Sequence, residues 1–397
     1  MVMNPISEQR RAWLIRAAAA GGAGLALSLP GARLAFAAPV PVGDTKSGRL
    51  VVVMLRGAMD GLAAVPAVGD PGWAALRPGA AADDEKYGTP LRLDDTFALH
   101  PKLSSLHQWY GQGELLVMHA VASPYRERSH FDAQQVLESG GQRPFELQTG
   151  WLGRALQATD RRGLALGPSM PLALRGAGRA VSWSPSHQKP VDADLMARVA
   201  SLYENDDQLG PMVALAMEQN SSAIGRTSAE GASFVALARQ AGSFMAADDG
   251  PTIAWLESSG WDTHTGQAGR LVRMFEPLDQ GLAALREALG AQWATTTVLV
   301  MTEFGRSAAM NGSGGTDHGT AGVAFMAGGQ VAGGRVLADW PGLARNQLMD
   351  ARDLRPTADL RAFVKPALQR HLGLQTALLD RDVLPGSPVS ASGLWRA

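Results

Sequence analysis

Two pairs of residues in this sequence combine a carboxylate with an imidazole at a spacing that suits a metal ion. Asp262 and His264 are two residues apart, so in an extended segment their side chains point in the same direction. Asp317 and His318 are adjacent and lie between glycines, which let the backbone turn tightly. Oxygen and imidazole ligands together suit zinc, manganese or iron, as one ion or a pair. The structural alternative for each pair is an aspartate that closes a turn beside a hydrogen-bonded histidine.

Continuous apolar runs predict the elements that must position these residues. Each run is too short for a typical helix, which indicates a strand buried on both faces of a sheet. The runs are 49–55, 114–121, 252–256 and 296–302, with a weaker fifth at 321–327. Helical patterns accompany them at 131–138, 191–204, 230–246, 268–289 and 358–372. The alternation predicts a single α/β domain, 49–397, with a largely parallel sheet and with residues 145–250 as a candidate cap.

Carboxylates follow two of the predicted strands directly. Asp60 comes after the first run and Glu303 ends the fourth. Ligands of open α/β sheets bind outside the carboxyl ends of the strands, so both side chains are expected near the two Asp/His pairs. The predicted ligands of one or two divalent ions are therefore Asp60, Asp262, His264, Glu303, Asp317 and His318.

Ser129 begins the helical pattern after the second run and is the candidate nucleophile. A hydroxyl at a helix N-terminus lies where backbone N–H groups and the helix dipole stabilise an anion, and a nearby metal ion activates such a group. The alternative is a helix cap, since Ser129-x-x-Asp132 is close to a capping box. We predict catalytic roles for Ser129, for the adjacent His130 and for Arg306, which follows the fourth strand.

Three further arginines are predicted to bind an anionic group of the substrate. Arg126 and Arg128 lie in the loop before Ser129, and Arg56 follows the first predicted strand. A guanidinium group can hold a phosphate or sulfate through two parallel hydrogen bonds. The alternative for the two loop arginines is that they are merely solvated.

Composition excludes several classes of function. The chain has no cysteine, so cysteine ligands, cysteine nucleophiles and disulfides are ruled out. It carries 36 basic and 37 acidic residues, a balance without the positive charge typical of nucleic-acid binding. There is no G-x-S-x-G elbow, no P-loop lysine and no H-E-x-x-H, which argues against ordinary serine esterases, nucleotide hydrolases and zincins.

The first 37 residues are predicted to be a twin-arginine signal peptide. Arg10 and Arg11 precede an apolar stretch at 17–32, and cleavage is expected after Ala37. The alternative is a membrane anchor, but this stretch is shorter than the roughly 20 apolar residues that a span needs. The mature protein, with an exposed lead-in at 38–48, is therefore expected in the periplasm or secreted, without a stable membrane span.

The sequence resembles a known bacterial family, domain of unknown function 1501. The resemblance covers nearly the whole mature chain and rests on the twin-arginine leader and on five strings in order: LRGAMDGL, RSHFDAQ, GWDTH, TEFGR and GTDHG. It implies a three-layer α/β/α sandwich with a mostly parallel central sheet, as in the alkaline phosphatase and sulfatase superfamily. In that superfamily two divalent ions are held at strand ends, and a serine or threonine at a helix N-terminus attacks phosphate or sulfate.

Site residues are carried over from the resemblance one by one. Asp60 matches the superfamily's aspartate after the first strand, and Asp317-His318-Gly319 resembles its Asp-His-Gly motif. Asp262 and His264 resemble its other Asp/His pair, at a shorter spacing than usual. Ala122 occupies the nucleophile position of the sulfatase signature, so formylglycine chemistry is not expected.

The predicted function is that of an exported, metal-dependent hydrolase of phosphate or sulfate esters, small or polymeric. The alternative is a non-catalytic exported binding or assembly protein that keeps the fold. For that alternative the resemblance implies a partner from another exported family, numbered 1800, whose members are often encoded beside this one. Redox or lyase chemistry at a transition metal is a third possibility, because the ligand set alone does not name the metal.

Overall fold

The computed structural model describes residues 48–78, 88–177, 179–185 and 233–396, with a few single residues between 198 and 213. The predicted signal peptide and almost all of the predicted lead-in lie outside these residues, as do most of the helix predicted at 191–204 and the central part of the candidate cap. In the part of the chain that the structure describes, no helix combines the length and apolar character needed to cross a membrane.

The strands occur where apolar runs predict them, with short strands in addition. Five of them, β1, β4, β7, β8 and β9, match the predicted runs within a few residues, which confirms those predictions. The strands are β1 (Arg49–Arg56), β2 (Leu91–Arg92), β3 (Ala98–Leu99), β4 (Leu115–Ala122), β5 (Gly163–Leu166), β6 (Ala180–Trp183), β7 (Ile253–Ser259), β8 (Thr296–Thr302), β9 (Gly322–Ala327), β10 (Arg335–Leu337) and β11 (Ala358–Asp359).

The helices follow the predicted patterns with shifted ends. The helix predicted at 358–372 begins at Arg361, because residues 358–359 pair with β4 instead. The helices are α1 (Gly61–Ala64), α2 (Trp73–Leu76), α3 (Ser104–Gly111), α4 (His130–Ser139), α5 (Trp151–Gln157), α6 (Phe234–Ala246), α7 (Gln267–Leu289), α8 (Arg361–Leu372) and α9 (Thr376–Leu378).

The central sheet is covered by helices on both faces. Along β1, Val51 and Val53 point into a core shared with α3, α6 and α7, whereas Leu50 and Val52 point into a second core shared with α5 and α8. A strand that is apolar at every position is what such double coverage requires. The architecture is therefore a three-layer α/β/α sandwich, and the predicted fold class is confirmed.

One strand of the sheet runs against the others. The strand order is β10-β4-β9-β8-β1-β7-β5-β6, with β11 paired to β4. β9 is antiparallel to both β4 and β8, and the remaining pairs are parallel. The carboxyl ends of β1, β4, β7 and β8 therefore meet the amino end of β9 at one edge of the sheet. The segments that follow those four strands and precede β9 lie together there.

Candidate metal centre

Three side chains from different segments converge at this edge. His130 is the first residue of α4, Asp262 follows β7 and His318 precedes β9. The Nε2 atoms of His130 and His318 are 3.0 Å apart, and Asp262 carboxylate oxygens lie 3.3 Å from His318 Nε2 and 3.6 Å from His130 Nε2. Ligands about 2.0–2.2 Å from one tetrahedral ion are about 3.3–3.6 Å apart. The two oxygen–nitrogen spacings fall in this range and the nitrogen–nitrogen spacing is shorter. These three residues, the central cluster, therefore form a candidate metal site.

The hydrogen positions on the two histidines are set by their outer partners. His318 Nδ1 lies 2.9 Å from the backbone carbonyl oxygen of Arg128, and His130 Nδ1 lies 2.9 Å from Glu303 Oε1. Because a carbonyl or an ionised carboxylate only accepts hydrogen bonds, each Nδ1 carries the hydrogen of a neutral ring. Both Nε2 atoms then present lone pairs to each other, and these repel unless a proton or a cation lies between them. Histidine metal ligands are held in this way.

Glu303, a predicted ligand, lies behind His130. Its buried carboxylate accepts hydrogen bonds from His130, from the Gln134 side chain at 2.9 Å and from the backbone N–H of Gly57 at 2.8 Å. Burial raises the pKa of Glu303, but these hydrogen bonds outweigh it and hold the pKa below its usual range. An ionised Glu303 orients the His130 ring and strengthens its Nε2 as a ligand.

His264 adjoins the central cluster, and Asp317 lies behind His264. His264 Nε2 is 3.0 Å from His318 Nε2 and 2.9 Å from Asp262 Oδ1. Its Nδ1 is 3.5 Å from Asp317 Oδ1, an oxygen that also accepts a 3.1 Å hydrogen bond from the Asn311 side chain. Asp317, predicted as a ligand, is thus placed to orient the His264 ring.

Asp60, also predicted as a ligand, belongs to a different buried network. Its Oδ1 accepts hydrogen bonds from the backbone N–H groups of Leu62 and Ala63 at the start of α1. Arg77 Nη1 and Gln267 Nε2 each approach Oδ2 to 2.6 Å. Burial raises the pKa of Asp60, but the charge and hydrogen bonds of Arg77 outweigh it and lower the pKa. With both oxygens occupied, Asp60 caps a helix and pairs with an arginine in this structure, and it lies outside the central cluster.

Arg306 holds Asp262 in place. Its Nη1 donates a 2.6 Å hydrogen bond to Asp262 Oδ1, and its Nε donates to Thr316 Oγ1 at 3.2 Å. Burial raises the pKa of Asp262, but the hydrogen bond and charge of Arg306 outweigh it and lower the pKa. Arg306 is only 1% exposed, so the structure gives it a positioning role in place of the predicted catalytic one.

Gln267 connects the Asp60 network to the central cluster. Its Oε1 accepts hydrogen bonds from the Thr316 hydroxyl at 2.6 Å and from a second threonine hydroxyl. Thr316 also accepts the hydrogen bond from Arg306, which binds Asp262. A continuous hydrogen-bonded path therefore runs from Asp60 through Gln267, Thr316 and Arg306 to Asp262. Residues from four of the five sequence strings, and the glutamine after GWDTH, thus form one hydrogen-bonded unit.

The three predicted substrate-binding arginines bind groups of the protein itself. Arg56 forms ion pairs of 2.6 and 2.8 Å with two glutamates. Arg128 pairs with the buried Asp353 at 2.7 Å. Arg126 donates hydrogen bonds to two backbone carbonyl oxygens of its own loop. These contacts make the three arginines structural in the observed state, which differs from their predicted role.

Ser129 occupies the N-cap position of α4 without capping the helix through its side chain. Its backbone is extended, with φ −90° and ψ 123°, and its side chain makes no capping hydrogen bond. Burial raises the pKa of the nearby Tyr125, and hydrogen bonding with Ser129 partly opposes that rise. The capping alternative therefore does not account for this hydroxyl, which precedes His130 at the positive end of a helix dipole.

Two glycines let residues 317–318 pass close to other backbone segments. A Cβ atom at Gly315 would lie 2.2 Å from the carbonyl group of His264, and one at Gly319 would lie 2.3 Å from that of Arg306. Both positions require glycine for close approach, not for an unusual φ. The glycines that flank the Asp/His pair thus serve to dock it against the segments after β7 and β8.

Sequence reasoning missed two side chains that support the site. Gln134 joins Arg56 to Glu303, since its Oε1 accepts from the arginine at 2.7 Å and its Nε2 donates to the glutamate at 2.9 Å. It lies four residues after His130 and therefore on the same face of α4. This spacing is the sequence signal from which its position could have been predicted. Asn311 donates to a carboxylate behind the cluster, and no spacing in the sequence marks it.

Comparison with known proteins places the chain in a family. A 2-O GAG sulfatase is 9% identical, with a TM-score of 0.42, and the match covers 83% of this chain and 72% of that chain. An alkaline phosphatase from the Antarctic bacterium TAB5 is 12% identical, with a TM-score of 0.34 and coverage of 71% and 92%. No curated protein sequence matches the chain. The model of the family described as Protein of unknown function (DUF1501) matches residues 47–384, and the chain belongs to this family.

Proposed function

We propose that this protein is an exported, metal-dependent hydrolase of phosphate or sulfate esters. The observation that carries the proposal is the convergence of His130, Asp262 and His318, with the two histidine Nε2 atoms 3.0 Å apart and Asp262 oxygens 3.3 and 3.6 Å from them. A divalent ion bound there supplies positive charge that polarises the ester and offsets the charge of the transition state. Asp262 is held by Arg306, so the protein's own groups keep the site preorganised.

Ser129 is the nucleophile in this proposal. Its hydroxyl is not used as a helix cap, and it directly precedes the candidate ligand His130. In the first step Oγ bonds to the phosphorus or sulfur atom, while the ester oxygen leaves as the alcohol with the hydroxyl proton. In the second step water displaces the serine and releases the inorganic anion. The N–H groups at the start of α4 are placed to stabilise the negative charge.

The test is a panel of aryl phosphate and aryl sulfate esters, assayed with mature protein loaded with zinc or manganese. We expect turnover of at least one ester. Ser129→Ala should lower kcat by about 10³-fold or more, because removal of a nucleophile leaves only binding and electrostatic catalysis. Its metal content should equal that of the wild type, since the hydroxyl is not a ligand of the central cluster.

The matched control is Ser105→Ala, a serine of α3 whose side chain is no part of the site. This variant should keep wild-type kcat. Full activity in Ser129→Ala would assign the attack to another group, and a metal-loaded wild type that turns over none of the esters would contradict the hydrolase proposal.

Export through the twin-arginine pathway is the second element of the proposal. It is supported by Arg10 and Arg11, the following apolar stretch and the Ala35-Phe36-Ala37 cleavage site. Replacing both arginines with lysine should retain the full-length precursor in the cytoplasm, because this pathway reads the arginine pair. Immunoblots of cell fractions measure the outcome, with Arg16→Lys as the control that should still be exported. Unchanged export of the double variant would assign the leader to another pathway.

One observation favours a second candidate function, that of a non-catalytic exported binding or assembly protein. Arg56 and Arg128, two of the three arginines predicted to bind the substrate, each pair with a carboxylate of the same chain, and so does the predicted catalytic Arg306. The charges of these three guanidinium groups are therefore already balanced. In this alternative the metal ion is structural, and the partner is a protein of the exported family numbered 1800. The ester panel separates the two candidates, because only the hydrolase shows turnover that depends on Ser129.

A further inference from the structure

A tight turn at 349–353 presents an arginine beside the candidate metal centre. Asp350 and Ala351 have φ values of 54° and 51°, and the Arg352 backbone N–H donates a 3.1 Å hydrogen bond to the carbonyl of Met349. Two successive positive φ values with this hydrogen bond define a type I′ turn, whose second central position strongly favours glycine. Alanine in that position carries strain of about 1–2 kcal/mol, so the surrounding contacts must hold the turn in this form.

Asp353 is the anchor of this turn. Backbone hydrogen bonds of 2.9 Å join Met349 and Asp353 in both directions. The Asp353 side chain is fully buried, and its Oδ2 accepts hydrogen bonds from Arg128 at 2.7 Å and from the Thr320 hydroxyl at 2.7 Å. The turn is therefore fixed to the loop that leads into α4 and His130, and to the segment before β9 that contains His318.

Arg352 lies over the His318 segment with its side chain 40% exposed. Its Nη2 donates a 2.8 Å hydrogen bond to the His318 carbonyl oxygen. Its Nη1 forms an ion pair with Asp353 Oδ1 at 3.2 Å, but the two groups are not oriented for a hydrogen bond. Among the residues that the structure describes, no acceptor binds its Nε. Part of the guanidinium therefore remains available to an incoming ligand.

Arg352 lies beside the open side of the centre, because its Nη2 contacts the carbonyl oxygen of His318. The side chains of Asp317 and Asp262 are 54% and 42% exposed, so this side of the centre faces solvent. A ligand that arrives there meets Arg352 next to the central cluster.

We propose that Arg352 binds the anionic group of the substrate, as the specificity-determining residue for phosphate or sulfate esters; this inference rests on the proposed function. The arginines predicted for this task are engaged elsewhere. Arg56 pairs with two glutamates, and Arg128 places two nitrogens on Asp353. Arg126 binds carbonyl oxygens of its own loop. Arg352 combines exposure, a fixed turn and closeness to His318. A planar guanidinium suits the tetrahedral oxygens of phosphate and sulfate.

The test is calorimetric titration of metal-loaded mature protein with inorganic phosphate and with inorganic sulfate. Arg352→Gln should weaken binding of the preferred anion about 10- to 100-fold, the usual effect of losing charged hydrogen bonds. Arg352→Lys should weaken anion binding less than Arg352→Gln does, because lysine keeps the positive charge but lacks the planar guanidinium group. Arg355→Gln is the matched control, since this neighbouring arginine bonds only two backbone carbonyls, and it should bind like the wild type. All three variants should keep their metal.

Three results would overturn this inference. In the first, Arg352→Gln binds both anions as the wild type does. In the second, the variant loses its metal together with the anion, which makes Arg352 a residue that positions His318. In the third, the metal-loaded wild type binds neither anion. Ester turnover by the wild type is measured separately and tests the proposed hydrolase function. Failure of anion binding by Arg352 can therefore be distinguished from failure of the hydrolase proposal.

Discussion

His318→Ala should remove stoichiometric metal from the purified protein. His318 Nε2 is the central donor atom, 3.0 Å from the Nε2 atoms of both His130 and His264 and 3.3 Å from Asp262. Loss of an outer partner of a metal ligand costs about 10- to 100-fold in affinity, so loss of the ligand itself should cost more than about 100-fold. The remaining His130 and Asp262 do not complete a site.

The measurement is elemental analysis after dialysis against metal-free buffer, followed by thermal unfolding with and without added zinc or manganese. A bound ion at 100 times its dissociation constant adds about 2.7 kcal/mol of stability, so the wild type should be stabilised by metal and the variant should not. His107→Ala is the control, because the side chain of this α3 histidine contacts the carbonyl oxygen of Arg92, away from the centre. Equal metal content in wild type and His318→Ala would place the ion elsewhere.

Arg77→Met should destabilise the fold by about 3–5 kcal/mol, the usual cost of leaving a buried charge without its partner. Both members of the Arg77–Asp60 pair are at most 2% exposed in their side chains. The arginine also donates to the carbonyl oxygens of Ser307 and Ala308, so methionine leaves several buried acceptors unsatisfied. Metal content per folded molecule should stay unchanged, because Asp60 is not part of the central cluster.

Urea unfolding followed by circular dichroism measures this change in the free energy of unfolding. Arg92→Met is the matched control, since Arg92 pairs with Asp95 at 3.7 Å on the surface, and exposed pairs contribute little to stability. A large loss of metal in folded Arg77→Met, or in Asp60→Asn, would return Asp60 to the set of ligands and contradict its role as a helix cap.

The layers of the fold follow from the sequence because they depend on local pattern. The middle of a strand such as β1 or β8 is a continuous apolar run, VVVML or VLVM, which indicates burial on both faces. Short strands such as β10 and β11 have three and two residues, and no periodicity can be read from so few. Their positions depend on pairing with β4, which is a tertiary contact.

The candidate site is only partly predictable for the same reason. The strand ends predict where functional side chains cluster, and Asp262 and His318 do lie together there. Whether a carboxylate is free to bind the ion depends on neighbours distant in sequence. Arg77 forms an ion pair with Asp60, and His130 is hydrogen-bonded to Glu303. His130, predicted as catalytic, is one of the candidate ligands because α4 directs its ring toward His318. This direction cannot be predicted from the local sequence.

The reversed direction of β9 has a consequence for the time course of folding. His130, Asp262 and His318 lie far apart along the chain, and β4, which precedes His130, is joined to β8 through β9. Pairings of such high contact order form slowly, because the chain loses loop entropy before the contacts compensate for it. Ion binding therefore comes late in folding and reports that the sheet is complete. A fragment that ends before β9 contains all three residues but lacks the strand that holds β4, and with it His130, beside β8.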